Sequence, residues 1–446
     1  MKTDLNLAED ILREALSRGA TEAEVYMFAS KGLSVDVKDQ EVEALEGASD
    51  WGYAVRVLKG KSQGFSYSNT KENWKQTVQA ALEAADITPE DRFNGFCPPE
   101  DGLEVDIYDP EVTEINPEKA IQWAMEIEKI CRDTDRRIKK TRKSSVSTGE
   151  AEVLLVNSLG LNKSYRATSV DAQIVVAAEE DGEAQMGWGW MGGRSLKEVD
   201  LQRIGLDAAR RATQLLGARK ATTTQAAVIL ESSTVAELFG VLAGAFSSEN
   251  VQKGKSFLAG KTDERVGSEA LEIIDSGLLP WRTGSRPFDA EGIPSKETIL
   301  VKEGILRGYL YNLYTARKSN TVSTSSAVRS GIYSPPSVGI SNLLIRPSSE
   351  DYVKPLEELI RKIKKGMVVT EVMGVHTANP VTGEFSIGAS GLWVENGEIS
   401  YPVREAAISG TLLELLRKTV AFSNEVRFYG RIGSSDLLIE GINISG

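Results

Sequence analysis

The sequence predicts an α+β protein: two N-terminal helix–antiparallel sheet–helix units, then a C-terminal β-rich half read as an antiparallel sheet or partly closed barrel with a few helices. Three observations predict it. Helical apolar spacing flanks period-two alternation over residues 1–105. The same order returns over 106–222. From 223 to 446 the chain turns to short strands, tight turns and many glycines.

Leu5, Ala8, Ile11, Leu12, Ala15 and Leu16 recur at helical spacing and stop at Gly19, a glycine suited to a helix C-terminus. Alternation follows in Ala23–Phe28, Leu33–Val37 and Val42–Leu45, and Gly60 turns Tyr53–Leu58 into Gly64–Tyr67. Trp74, Val78, Ala81, Leu82 and Ala85 mark a second helix, with Asn69 or Thr70 at its start. Pro89, Pro98, Pro99 and Pro110 interrupt an acidic linker. Asn116 and Pro117 open the next helix. Strands then run from Lys139 to Gly192, with turns at Asn157–Gly160 and Asp181–Gly182. Ser195 and Glu198 fit a capping box before a helix that ends near Gly217.

In the last half, Ala226–Leu230 is a strand and Thr234–Phe246 a helix. Val235, Leu238, Phe239, Leu242 and Phe246 form its buried stripe, and Thr234 with Glu237 fits a capping box. Helices are expected near Leu356–Lys365 and Thr411–Thr419, and Asn396–Gly397 signals a hairpin.

Composition narrows function. The chain has 446 residues and a formal charge of −12, a field that repels nucleic acid and anionic membranes, so no direct nucleic-acid partner is expected. No apolar run approaches the ~18 residues of a membrane span, and the acidic start does not read as a signal peptide, so the cytoplasm is expected. Cys97 and Cys131 read as free thiols. His376 is the only histidine, so this chain alone cannot build a His-rich catalytic zinc site.

Two phosphate-loop look-alikes fail on chemistry. Gly187-Trp188-Gly189-Trp190-Met191-Gly192 has the letters of a dinucleotide loop, but its tryptophans crowd any pyrophosphate and its context is antiparallel strand. Gly254-Lys255-Ser256 lacks the first loop glycine, since Glu249 stands there. The polar run Ser319–Ser326 reads as a mobile loop that could line a cleft. Asp289 and Glu291 could orient a positive group or serve plain turn chemistry before Gly292. His376 could act as a base to a serine, contact a peptide, or be structural.

Several segments together resemble the TldD/PmbA family, in its PmbA (TldE) branch: Lys253–Leu258, Phe288–Gly292, Tyr314–Lys318, Ile408–Leu412 and, most specifically, Gly374–Gly391. The resemblance implies a cytoplasmic metalloprotease assembled from paired members. In its catalytic branch His-Glu-x-x-x-His on a helix holds zinc with a distant cysteine, and the glutamate acts as general base. Laid on this chain, that frame reads Ala236-Glu237-Leu238-Phe239-Gly240-Val241, with no cysteine after Cys131. The expectation is therefore a subunit with no metal site and no cofactor of its own, with zinc carried by a TldD-like catalytic partner in a heterodimer. Glu237 occupies the catalytic glutamate's position without a metal-bound water to activate. Asp289, Glu291, Arg317, His376, Asn379 and Glu384 are the residues expected along a substrate or partner cleft. Substrates would be unfolded or flexible peptides, bound as added strands. A homodimer is expected for the isolated chain. The alternatives are a self-sufficient non-zinc hydrolase and a non-enzymatic interaction protein such as a DNA gyrase modulator.

Overall fold

The computed structural model describes residues 2–446. It is an α+β structure in which one antiparallel sheet serves both N-terminal units. Helix α1 (Leu5–Ser17) leads into β1 (Glu22–Lys38), β2 (Glu41–Lys59), β3 (Ser62–Ser68) and α2 (Trp74–Ile87). A short α3 (Pro110–Thr113) and α4 (Pro117–Thr134) precede β4 (Ile138–Asn157), β5 (Asn162–Glu180), β6 (Glu183–Gly193) and α5 (Leu201–Gln214). The strand order is β3-β2-β1-β4-β5-β6, so the two units meet as mirror sequences of strands along β1 and β4.

Side-chain alternation decides what covers each face. Ala23, Val25, Met27 and Ala29 of β1 pack with α1 and α2, while Val35 and Val37, on the same face, pack with α4 and α5. Tyr26 points to the opposite face and packs with Val153, Leu155, Phe288 and Ile332. The C-terminal half therefore sits on the face that the helices leave bare.

Glycine allows the helices to approach. A Cβ on Gly189 would lie 2.0 Å from the Ile204 carbonyl oxygen of α5, and one on Gly64 would lie 1.8 Å from that of Ala81 in α2. The Gly-x-Gly letters of β6 are thus packing residues.

The C-terminal half closes a five-stranded barrel. Strand β7 (Arg219–Lys220) pairs at its edge, and β8 (Thr224–Leu230) runs parallel to Lys365–Met373. Antiparallel pairings continue through Glu384–Glu395, Glu398–Thr411 and Leu437–Ser445, which returns to β8. Closure removes the exposed edges. A second sheet carries Leu271–Ser276, Glu297–Lys302 and Leu343–Pro347. Trp393, Phe239 and Phe422 are fully buried in this half. Each stabilises the fold by roughly 1.5–3 kcal/mol through area removed from water.

Turn chemistry matches the sequence at Asn396–Gly397, with φ of 52° and 82°, and at Asp181–Gly182, with 51° and 81°. Asn116 caps α4 by accepting from the Lys119 N–H at 2.9 Å. Other helix starts differ. Asn73 precedes α2, and Asp200 rather than Ser195 caps α5. The run Ser319–Ser326 is pinned: Ser323, Ser325 and Ser326 are buried, and Thr324 N–H donates to the Tyr311 carbonyl. Among the described residues no helix is long and apolar enough to cross a membrane. Cys97 and Cys131 are both buried free thiols.

Candidate functional site

Strand β8 delivers the chain to Glu231, and α6 (Ser232–Leu242) follows, ending in a 3-10 turn, Ala243–Phe246. The predicted stripe is buried, Glu237 and Gly240 of α6 are exposed, and Val241 is half-buried. The predicted Thr234 capping box does not form. The helix starts two residues earlier, where the Ser232 N–H donates to Asp436 Oδ1 at 2.8 Å. Thr234 instead donates its hydroxyl to the Glu231 carbonyl. The cap is tertiary, so local sequence did not reveal it.

Glu231 is the anchor of this helix start. Arg211 of α5 is 2% exposed and donates to Glu231 Oε2 at 3.1 Å and to Ser233 Oγ at 3.0 Å. Its guanidinium lies 3.9 Å above the Trp188 ring. Partial desolvation pushes the Glu237 carboxyl above the ordinary range. Arg211 pulls it the other way, and the like charge of Glu371 adds to the rise. The turn Val375–Thr377, which carries exposed His376, lies against α6. Asn379 and Glu384 belong to the next turn. Asn379 Oδ1 accepts from the Val381 and Thr382 N–H groups, and Glu384 accepts from the Thr382 hydroxyl.

This helix does not fit zinc. The positions where the resemblance places ligands hold Ala236, 6% exposed, and Val241, half-buried against the core. Among the described residues no group of three His, Cys, Asp or Glu side chains is arranged to hold a metal ion.

Asp289, Glu291 and Arg317 gather elsewhere, at the seam between the N-terminal sheet and the C-terminal half. Asp289 is 1% exposed and accepts from the Glu291, Ile293 and Ala327 N–H groups, a turn clasp extended to a distant strand. Arg317 donates to the carbonyls of Phe93, Gly95 and Phe96 and so holds the linker backbone. Glu291 faces Arg56, with Nη1 to Oε1 at 3.7 Å. Arg56 also makes a two-pronged pair with Glu24, its cross-strand neighbour, at 2.9 Å for each bond. Arg329 adds a bond to Glu24 at 2.9 Å. Burial pushes the Glu291 carboxyl up against the pull of Arg56, and the adjacent Asp289 charge adds to the rise. Burial likewise pulls Arg329 down to about 10, opposed by Glu24.

Glu24, Arg56 and Arg329 escaped sequence reasoning. Glu24 and Arg56 sit within apolar strands on the face toward the C-terminal half, and a charge at a position flanked by buried residues was the available signal. Asp275, 3% exposed inside Leu271–Ser276, carries the same signal.

Fold and site together define an α+β chain with a closed barrel and a helix α6 that carries neither histidine nor cysteine. Models described as PmbA/TldA metallopeptidase domain 1, central domain and C-terminal domain match residues 23–85, 110–216 and 223–446. The chain belongs to this PmbA/TldA metallopeptidase family. It is 31% identical to the metalloprotease PmbA of Escherichia coli O157:H7, over 95% of this chain and 92% of that one. It is 25% identical to a metalloprotease TldD homolog of Haemophilus influenzae, over 89% and 84%. A Thermotoga maritima structure described as a proposed modulator of a DNA gyrase superposes with a TM-score of 0.91 at 26% identity, covering 99% of this chain and all of that one. TldE of Thermococcus kodakarensis gives 0.90 at 21% identity, over 99% and 100%, which speaks to fold alone.

Proposed function

We propose that the chain is the non-metal, TldE-like subunit of a TldD–TldE-type metalloprotease, working with a zinc-bearing TldD-like partner on unfolded or flexible peptides. The observation that carries this reading is helix α6. It carries a buried apolar stripe and Glu237, with apolar side chains at 236 and 241, where the resemblance places the ligands. Glu237 then has no metal-bound water to deprotonate. Peptide would enter as an added strand. Closure leaves the barrel sheet only the short end strands β7 and Thr419–Phe422, so the open sheets, ending at β3 and β6 or at Ile305–Leu306 and Arg427–Tyr429, are the acceptor edges in this reading.

The test is to purify the chain alone and with a co-expressed partner bearing His-Glu-x-x-x-His, then measure zinc content and peptide cleavage. Zinc and cleavage are expected only with the partner. Stoichiometric zinc and cleavage in the lone chain would overturn the reading. The double variant Ala236→His, Val241→His is expected to bind zinc weakly, since no third ligand accompanies it.

A further inference from the structure

Strand β3 pairs only with Tyr53–Lys59 of β2, so the outer arm of β2, from Glu41 to Asp50, is itself an edge of the N-terminal sheet. One side of the arm is bonded to β1, and its backbone bonds to no other element among the described residues. A bare edge of this length is a template for another strand, and natural edges are commonly blunted by lysine, proline or bulges. The arm, Glu41-Val42-Glu43-Ala44-Leu45-Glu46-Gly47-Ala48-Ser49-Asp50, has no lysine or proline. Its one bulge, at Glu43, leaves Ala44–Asp50 in regular register with β1.

The pleat sorts the arm's side chains onto two faces. Glu41, Glu46 and Asp50 stand opposite Lys38, Ser34 and Ser30 of β1, on the face turned from the helices. Glu41 and Glu46 make no ion pair among the described residues, whereas Glu43 pairs with Lys38 at 3.4 Å and Asp50 accepts from the Trp51 N–H. Val42 and Leu45, 43% and 50% exposed, share the helix-side face with Gly47 and Ser49. On that face a cleft of about 510 Å³ is floored by Leu33, Gly47 and Ser49 and walled by Val112, Ile115 and Pro117. No atom lies within 4 Å of where a Gly47 Cβ would stand, so the cleft is open directly over the strand. Two copies paired along this edge would set carboxylates against carboxylates with no base on either arm. The acids that oppose self-pairing also name the partner. A strand with Lys or Arg on one face and aliphatic side chains on the other meets Glu41, Glu46 and Asp50 with its charges, and Val42, Leu45 and the cleft with its apolar side.

We propose that the outer arm of β2 captures an extended peptide segment of alternating basic and aliphatic residues as an added strand. The inference rests on the peptide-binding part of the proposed function and deepens it by naming the strand and the peptide chemistry. The experiment titrates a dye-labelled peptide, Lys-Val-Lys-Val-Lys-Val-Lys, with the lone full-length chain by fluorescence anisotropy. Saturable binding is expected, with hydrogen exchange slowed at the amides of Ala44–Asp50. Glu41→Lys combined with Glu46→Lys, at two exposed positions, should weaken binding about tenfold while circular dichroism and the thermal midpoint stay unchanged. N-methylating every backbone amide of the peptide should abolish binding, because an added strand needs those donors. No saturable binding, equal binding of the Glu-Val counterpart or of the methylated peptide, or exchange slowed only elsewhere each overturns the proposal. Self-association of the lone chain that the double variant alters would give the edge to a second copy and overturn it too. Binding that fails while the chain still completes cleavage by a zinc-bearing partner sinks this inference alone. Binding that holds without partner-dependent cleavage sinks the proposed function alone.

Discussion

Helix α6 and the seam both set glutamates among arginines, and they differ in how the fold uses them. Glu237 stands on a solvent-open strip of an otherwise buried helix. Glu291 lies inside a charge network assembled from β1, β2 and two C-terminal loops. This chain concentrates its buried charge at the second place. Helix α6 is a core element through its apolar stripe, which does not depend on what stands at 236 or 241. The seam has no such freedom. Burying Glu24, Arg56 and Arg329 is tolerable only while each keeps its partner.

The largest predicted effect therefore falls on the seam. Glu24→Ala strips the shared partner from Arg56 and Arg329 and should destabilise the protein by about 3–5 kcal/mol. Urea unfolding, followed by tryptophan fluorescence, reads this directly. A loss below about 1 kcal/mol, the size expected of an exposed pair, would mean that the network does not hold the two halves together. Next comes the helix–sheet contact. Gly189→Val drives a branched side chain into the Ile204 carbonyl, and overpacking of this kind costs about 1–3 kcal/mol. Retained stability there would show that α5 moves off β6 more readily than the contact implies.

These two sites also show what the sequence could and could not reveal. Local chemistry was legible: the α6 stripe, the Asn396–Gly397 turn and the Asn116 cap each rest on residues within a few positions of one another. The lengths of β1 and β2 were not. Their turn uses Asp39 and Gln40 at φ of 53° and 63°, without glycine. The outer arm of β2, from Glu41 to Asp50, is almost wholly exposed, so the alternation read in Val42–Leu45 does not continue to mark its length. The Ser232–Asp436 cap and the Glu24–Arg329 pair join residues far apart in sequence, so only the folded chain brings them together. Asp289 and Glu291 were recognisable as turn acids. That one of them faces Arg56 was not recognisable, because Arg56 reads as an ordinary charge within a strand.

A pH experiment sharpens the contrast within the C-terminal half. Burial pushes Asp275 up to about 7 from the ordinary carboxylate value near 3.8, against its bonds from the Ser341 N–H and the pull of Arg286. A raised carboxyl binds its proton in the folded state over that interval, so its contribution to stability falls as pH rises from about 4 to about 7. Asp275→Asn mimics the protonated form. The variant should therefore gain on the wild type as pH rises through this window, in paired urea titrations. Parallel stability curves would show that Asp275 ionises in the fold as readily as in the unfolded chain.

The smallest effect is expected at His376, and it decides between readings of the α6 neighbourhood. The imidazole is exposed, and its turn is held without it: the Thr377 N–H and hydroxyl both donate to the Gly374 carbonyl, and the Ala378 N–H donates to that of Val375. His376→Ala should change stability by no more than about 0.5 kcal/mol, as for a surface site with no special contact. Peptide cleavage by the chain with the proposed zinc-bearing partner should stay within about twofold of wild type, well short of the 10²–10⁴-fold that a general base contributes. A collapse of activity with stability unchanged would instead make His376 a working base. The self-sufficient hydrolase would then explain this family member better than the partner subunit does.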